Sequence, residues 1–379
     1  MVEQPAVNRR VVGSNPTCGA TLRFKCTVSL NHVSRADHMT YHMYISVSGE
    51  DYIAIYSVDS STGYTILEGR MRVPGRPAPL AISPDKKYLY AGTRKEYGIS
   101  SYKIDKSSGL INLVDKIQLD SDPCYLSTDN TGQYLFSAHY NAGKIGVHKI
   151  SDTGRIDATP TVDLHTDTGA HCIQTDRSNK FVFVPHIADK GPNCIYQFKF
   201  NELSGTLSPN FPELLRPRTR LGPRHYCYHP KLDVIYFSDE QGCSVSCYRL
   251  DNSTGTLTHF QTIATLPTNY RGSNTCSQIQ ITNSGNYLYV TNRGHNSIAC
   301  FSANSLDGTL SAVDWEYTDP IPRAFTIDPK GRYIFVASLD NGNIAIYRIN
   351  DLTGKLTQIS TSYLGEEPMW LLITDSISS

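Results

Sequence analysis

The sequence predicts an all-β fold: a seven-bladed β-propeller of four-stranded antiparallel blades, the last blade closed by N- and C-terminal strands. Three observations predict it. A glycine turn recurs seven times at propeller spacing, a strand-like phrase recurs in the same phase, and the chain begins and ends in the middle of a repeat.

The glycine turn closes the phrases "IYSVDSSTG", "SYKIDKSSG", "VHKISDTG", "YQFKFNELSG", "CYRLDNSTG", "CFSANSLDG" and "IYRINDLTG". Its glycines are Gly63, Gly109, Gly154, Gly205, Gly255, Gly308 and Gly354, spaced by 46, 45, 51, 50, 53 and 46 residues. That interval is close to the period of a four-stranded propeller blade. The second phrase runs "HMYISVS", "YLYAGTR", "YLFSAHY", "FVFVPHI", "VIYFSDE", "YLYVTNR" and "YIFVASL". Ahead of it stands a third, "PAPLAISPD", "DPCYLSTDN", "GAHCIQTDR", "GPRHYCYHP", "TCSQIQITN" and "IPRAFTIDP", with "EPMWLLITD" at the C-terminus. Tight turns such as "SPDKK", "DNTGQ" and "DPKGR" join the two, which is hairpin chemistry. The runs themselves are rich in Tyr, Ile, Val and Phe with partial alternation, as strands are.

Each element then has a place. Residues 1–40 read as an unstructured N-terminal extension. This stretch carries Arg9, Arg10, Arg23 and Arg35 against the single acid Glu3. Its "VGSNPT" resembles a translated tRNA-gene arm, which makes Met39 or Met43 the natural initiator, and an Arg-rich, acid-poor targeting segment is the other reading. Residues 41–379 form the propeller. The chain enters it at "HMYISVS", the second phrase of a repeat, and leaves on "EPMWLLITD", an inner-strand phrase with nothing after it. The final phrase therefore completes the blade that the N-terminus starts, which removes exposed sheet edges.

Composition limits the function. Lys+Arg and Asp+Glu both number 35, so the formal net charge is zero and nothing suggests nucleic acid or a membrane surface as partner. Apolar runs are strand-sized, too short for a spanning helix. Ten cysteines without CxxC spacing read as free thiols of a reducing, cytoplasmic protein. No metal or other cofactor is expected, and the oligomeric state is expected to be a monomer or weak oligomer.

Propeller topology selects the candidate site. The innermost strand starts at one end of the channel, and the connection after the second strand returns to that end. Residues opening the inner-strand phrase (His171, Arg224, His225, Arg323, Met369) therefore converge with those closing the second phrase. The latter are Arg94, His139, Tyr140, Asn141, His186, Glu240, Arg293 and Asp340. Arginine recognises carboxylate or phosphate in bidentate fashion, so this cluster predicts a small anionic ligand. His171 and Glu240 are candidates for proton transfer or water activation. A purely structural reading pairs Arg224 with Glu240 as glue between blades and turns His225 into the packing between them. The aspartates Asp85, Asp129, Asp176, Asp328 and Asp375 recur at the far end of the inner strand and read as turn residues. No G-x-S-x-G, H-E-x-x-H or Gly-rich phosphate loop is present, which disfavours a serine hydrolase.

The phrases "SPDKKYLYAGTR", "AHYNAGKIGVHKI", "LGPRHYCYHP", "NSGNYLYVTNRGHNSIACFS", "IPRAFTIDPKGRYIFVAS" and "GEEPMW" resemble the seven-bladed β-propeller lactonase family. Its members include the propeller-type 6-phosphogluconolactonase and the carboxy-cis,cis-muconate cyclase. The resemblance runs from about Tyr41 to the C-terminus. It implies hydrolysis of a small anionic lactone, most simply 6-phosphoglucono-δ-lactone of the pentose phosphate pathway, with Glu240, His171, Arg224 and Arg293 catalytic. Substrate-binding roles then fall to Arg94, Asn141, His186 and Arg323. Arg271, in "LPTNYRGSNTCSQI", departs from the family pattern by not adjoining the strand. A lactonising isomerase acting on a carboxylated muconate is the alternative, and an interaction scaffold is the non-enzymatic one. The enzymatic readings require Arg224, Glu240 and Arg293 to lie within a side chain's reach of one another.

Overall fold

The computed structural model describes residues 40–375, so the expected N-terminal extension lies outside the described residues apart from Thr40, where the first strand begins. The described residues form seven four-stranded antiparallel sheets in a ring. Blade 1 is built from Thr40–Val47, Tyr52–Asp59 and Thr65–Arg72, with the C-terminal strand Pro368–Asp375 as its innermost member. Blades 2 to 7 follow in chain order, and five of them start with the inner strands Pro77–Ile82, Tyr125–Thr128, Pro223–Tyr228, Thr275–Ile281 and Pro322–Ile327. In blade 4 the inner strand shrinks to Gln174–Thr175. The ring closes through antiparallel pairing from Tyr41↔Asp375 to Ser46↔Trp370, which is the split blade the sequence predicts. No helix among the described residues is long and apolar enough to cross a membrane.

The core is distributed between blades. Seven hydrophobic clusters form, each drawing residues from two adjacent blades. The strand Val234–Asp239 illustrates why its sequence must alternate. Val234 and Tyr236 pack towards blade 6, while Ile235 and Phe237 pack towards blade 4. Side chains of a strand point alternately to its two faces, and both faces are covered here. Each such aromatic contributes about 1.5–3 kcal/mol of burial.

The recurring glycines serve the same interfaces. Gly63 has φ +73°, and a Cβ added there would lie 2.7 Å from Cδ1 of Tyr333 in the neighbouring blade. Gly154, Gly205 and Gly354 sit over Tyr88, Tyr134 and Tyr287 in the same way. Turn conformation and blade contact thus both demand glycine. At the same end, Asp129, Asp176 and Asp328 accept backbone N–H groups of their own turns, in keeping with their reading as turn residues.

Candidate active site

Every inner-strand phrase sends a residue from its first half into one narrow pocket on the propeller axis. From six of the seven repeats the pocket takes Ala78, Cys124, His171, Arg224, Arg323 and Met369, and blade 6 contributes Gln278. The cause is a break in the ladder of every blade but the third, where the ladder begins only after Cys124. In blade 5, Pro223 pairs with Asp239 and His225 with Ser238, which leaves Arg224 unpaired. In blade 7, Pro322 and Ala324 are paired and Arg323 is left over. In blade 4 the ladder is absent between the Ala170↔His186 bridge and the Gln174↔Phe183 pair, and His171 falls in the gap. A bulge of this kind re-aims side chains, so two successive residues face the channel instead of one.

This corrects the expectation for His225. Strict alternation would turn it into the packing between blades, yet it lines the pocket beside Arg224. Pro79 and Trp370, which directly follow Ala78 and Met369, line it too. The pocket has room for about one water molecule, about 10 Å³. It continues outward through Arg94, Arg323 and Met369 into a vestibule of about 570 Å³ that adds Ser48, Arg76, Lys95, Tyr97, Asp122, Leu339 and Glu367.

The residues closing the second phrase occupy one repeated position: Ser48, Arg94, Tyr140, Ile187, Glu240, Arg293 and Leu339. Arg94, Glu240 and Arg293 were expected at the mouth and hold that position. His139, His186 and Asn141 are each one residue away from it, and the structure brings none of them to the pocket. His186 is fully buried, its ring bonded to Val184 O at 3.1 Å and Thr166 Oγ1 at 2.9 Å and tilted against Tyr196. His139 is bonded at both nitrogens, to Ser121 Oγ and Ser137 Oγ, each at 3.0 Å. Asn141 is exposed in the following turn. A one-residue shift moves a side chain from channel to blade face, and the expected binding roles of His186 and Asn141 find no support in their positions. Arg271 is also spent elsewhere, donating to Thr268 O and Tyr270 O of its own loop.

The central group is a carboxylate between two guanidiniums. Glu240 Oε2 lies 2.8 Å from Arg224 Nε and Oε1 lies 3.0 Å from Arg293 Nη2, well within the reach the enzymatic readings require. Backbone contacts set this geometry. Glu240 N–H donates to Gly222 O, Cys276 N–H donates to Glu240 O, and Arg293 Nη2 also donates to Cys276 O at 2.8 Å. The Arg224–Glu240 contact is an ion pair without hydrogen-bond alignment, so Arg224 Nε and Nη1 are buried with no hydrogen-bond acceptor.

Charge is unbalanced around this pair. Arg94 meets Asp122 at 3.2 Å, whereas Arg323 has no carboxylate partner among the described residues. Four guanidiniums therefore face two carboxylates. Burial, followed by the charges of Arg224, Arg293 and Arg94, pushes Arg323 down to about 9. Burial pushes Arg224 down to about 10, against the pull of Glu240 and with the push of Arg293. Both stay cationic at neutral pH, in an environment that an incoming anion would relieve. The same burial and the same cations hold His171 and His225 well below the usual imidazole range, so both rings are neutral. Cys124 is kept a thiol, pushed up to about 11 by burial. Among the described residues no cluster of His, Cys, Asp and Glu has the make-up of a metal site.

Cys124, Gln278, Trp370 and the channel placement of His225 escaped the sequence selection, although the repeat position carries the signal for Cys124. Tyr140 stands edge-on to His171 with ring centroids 5.6 Å apart.

The chain matches the family described as "Lactonase, 7-bladed beta-propeller" over residues 50–373. It is 29% identical over 294 residues to the 6-phosphogluconolactonase of Yersinia pestis, covering 76% of this chain and 85% of that protein. A crystal structure from Bacteroides fragilis superposes with a TM-score of 0.81 at 25% identity, over 90% of this chain and 99% of the other. The periplasmic gluconolactonase of Pseudomonas aeruginosa has the same fold, with a TM-score of 0.82 at 20% identity over 89% and 99%. The chain belongs to the seven-bladed β-propeller lactonase family.

Proposed function

We propose that this protein is a lactone hydrolase that opens 6-phosphoglucono-δ-lactone to 6-phosphogluconate. The observation that carries the reading is the imbalance on the propeller axis: four guanidiniums, two carboxylates and two neutral imidazoles at the floor of a vestibule of about 570 Å³. A phosphorylated lactone supplies the missing negative charge. The curated relatives named 6-phosphogluconolactonase support the choice of substrate.

In this reading the phosphate rests among Arg94, Lys95 and Arg323 in the vestibule, and the lactone carbonyl enters the pocket. Water attacks the carbonyl carbon, and Arg224 with Arg323 stabilises the oxyanion of the tetrahedral intermediate. His171, neutral and facing the pocket, accepts the proton of the attacking water. Glu240 holds Arg224 and Arg293 in place. Eight free cysteines among the described residues fit a reducing cytoplasmic setting. The test is hydrolysis of the phosphorylated lactone by the purified protein, followed as acid release against the spontaneous rate. Turnover that is lost in Arg323→Met supports the reading, and a wild-type rate no faster than the spontaneous one overturns it.

A further inference from the structure

His171 does not stand alone in the pocket. Its Nδ1 lies 3.3 Å from Nε2 of His225, and the two ring centroids are 5.1 Å apart. His225 is 5% exposed, wedged edge-on against Tyr125 at 5.1 Å and tilted over Trp370 at 5.8 Å. The outer nitrogens, Nε2 of His171 and Nδ1 of His225, have no hydrogen-bond partner among the described residues, and both rings line the pocket. Two imidazoles therefore share one inner hydrogen bond and leave one free nitrogen each beside the pocket that the lactone carbonyl would enter.

The surroundings give this arrangement a purpose. Arg224 and Arg323 bear on both rings and Arg293 on His225, while Tyr140, Tyr125 and the Cys124 thiol pack around them without adding negative charge. A lone imidazole that took a proton here would become an imidazolium inside a cluster of guanidiniums, in a buried site where like charges repel strongly. A pair of rings avoids that charge by passing a proton on as it receives one.

Resting on the lactonase reading above, we propose that His171 and His225 form a proton relay, with His225 as the acid that protonates the leaving ring oxygen. As water oxygen bonds to the carbonyl carbon, His171 Nε2 takes the water proton and His171 Nδ1 passes its own proton to His225 Nε2. His225 Nδ1 then releases its proton to the ring oxygen as the acyl C–O bond breaks. The products are a carboxylic acid, which ionises to solvent, and a hydroxyl. Both rings remain neutral with their tautomers exchanged, and exchange of one proton with water at each outer nitrogen restores the starting state.

Two substitutions separate this relay from simpler roles. His225→Gln keeps a polar group able to hold His171 but has no second nitrogen to pass a proton, and His225→Phe keeps only the ring. The relay predicts that kcat falls at least about 100-fold in both, the scale of losing a general acid, with KM within about threefold. It also predicts that the wild-type proton inventory is curved and becomes linear in His225→Gln. Wild-type kcat in His225→Gln overturns the proposal, and so does a loss in His225→Phe that His225→Gln restores, since that marks positioning alone. Nitrogen-15 spectra of the histidines give a check independent of turnover. Two neutral rings joined by an N–H···N bond from pH 5.5 to 8 support the relay, and an imidazolium on either ring at pH 7 overturns it. A wild type that hydrolyses no phosphorylated lactone would defeat the lactonase reading instead, with the spectra still deciding whether the pair exists.

Discussion

Glu240→Gln removes one charge and almost no volume, so it isolates what the carboxylate does. Its two oxygens lie 2.8 Å and 3.0 Å from guanidinium nitrogens, in a group that is only 15% exposed. With charge centres about 4 Å apart and an effective dielectric of about 20, each pair contributes about 4 kcal/mol of attraction. Water entering the variant and the new amide's own hydrogen bonds return part of this. Removing one partner of a buried pair costs about 3–5 kcal/mol. For a domain of this size each kcal/mol lowers Tm by about 1.5 °C, so Tm should fall by about 4–7 °C. Catalysis should fall by about 10²–10³ in kcat, the scale of losing one preorganised oxyanion donor, because Arg224 and Arg293 lose their anchor. Inorganic phosphate should raise the Tm of the variant more than that of wild type, since an anion that binds the native state replaces the missing charge. Thermal melts with and without phosphate, together with lactone kinetics, measure all three. A variant with Tm within about 2 °C of wild type and unchanged kcat would refute the claim that Glu240 holds the arginine cluster together.

Three further outcomes follow from the same geometry. Because His171 and His225 are held well below the usual imidazole range, kcat/KM should stay flat from pH 8 down to about pH 5.5; a fall centred near about pH 6.5, the ordinary histidine value, would show an imidazole titrating freely. Stability should behave differently, since these rings and His139 and His186, both lowered to about 4, bind protons in the unfolded chain but not in the folded one. Stability is therefore full above about pH 6.5 and declines below it, by about 1 kcal/mol per ring at pH 5.5, measurable by urea melts. His186→Leu should lower Tm through the loss of two buried hydrogen bonds yet leave kcat and KM within about twofold, the change expected far from an active site; a selective loss of kcat would put His186 back in the mechanism.

The fold was legible because propeller blades repeat their chemistry. Seven glycine turns and seven aromatic strand phrases carry the blade count, and the broken first repeat carries the ring closure. The site was legible to within one residue. Arg94, Arg224, Glu240, Arg293, Arg323 and His171 came from aligning phrases, and the structure brings them to one axis. His139, His186 and Asn141 were selected by chemistry without regard to the two-residue period of a strand, and each points off the axis for that reason. His225 failed the other way: alternation was applied across a bulge, and a bulge is where alternation stops. Of the hydrophobic half of the pocket only Met369 was selected; Ala78 and Trp370 drew no attention because apolar residues in a strand phrase read as core.

In the proposed function, the excess of guanidinium on the propeller axis selects a phosphorylated lactone. The direct measurement is the ratio of kcat/KM for 6-phosphoglucono-δ-lactone to that for glucono-δ-lactone, in wild type and in Arg323→Met. The phosphorylated substrate is expected to be preferred at least about 100-fold in wild type, the range of a buried charge pair, and the preference to collapse in the variant. Equal turnover of the two lactones, or a preference that survives the loss of Arg323, would contradict it.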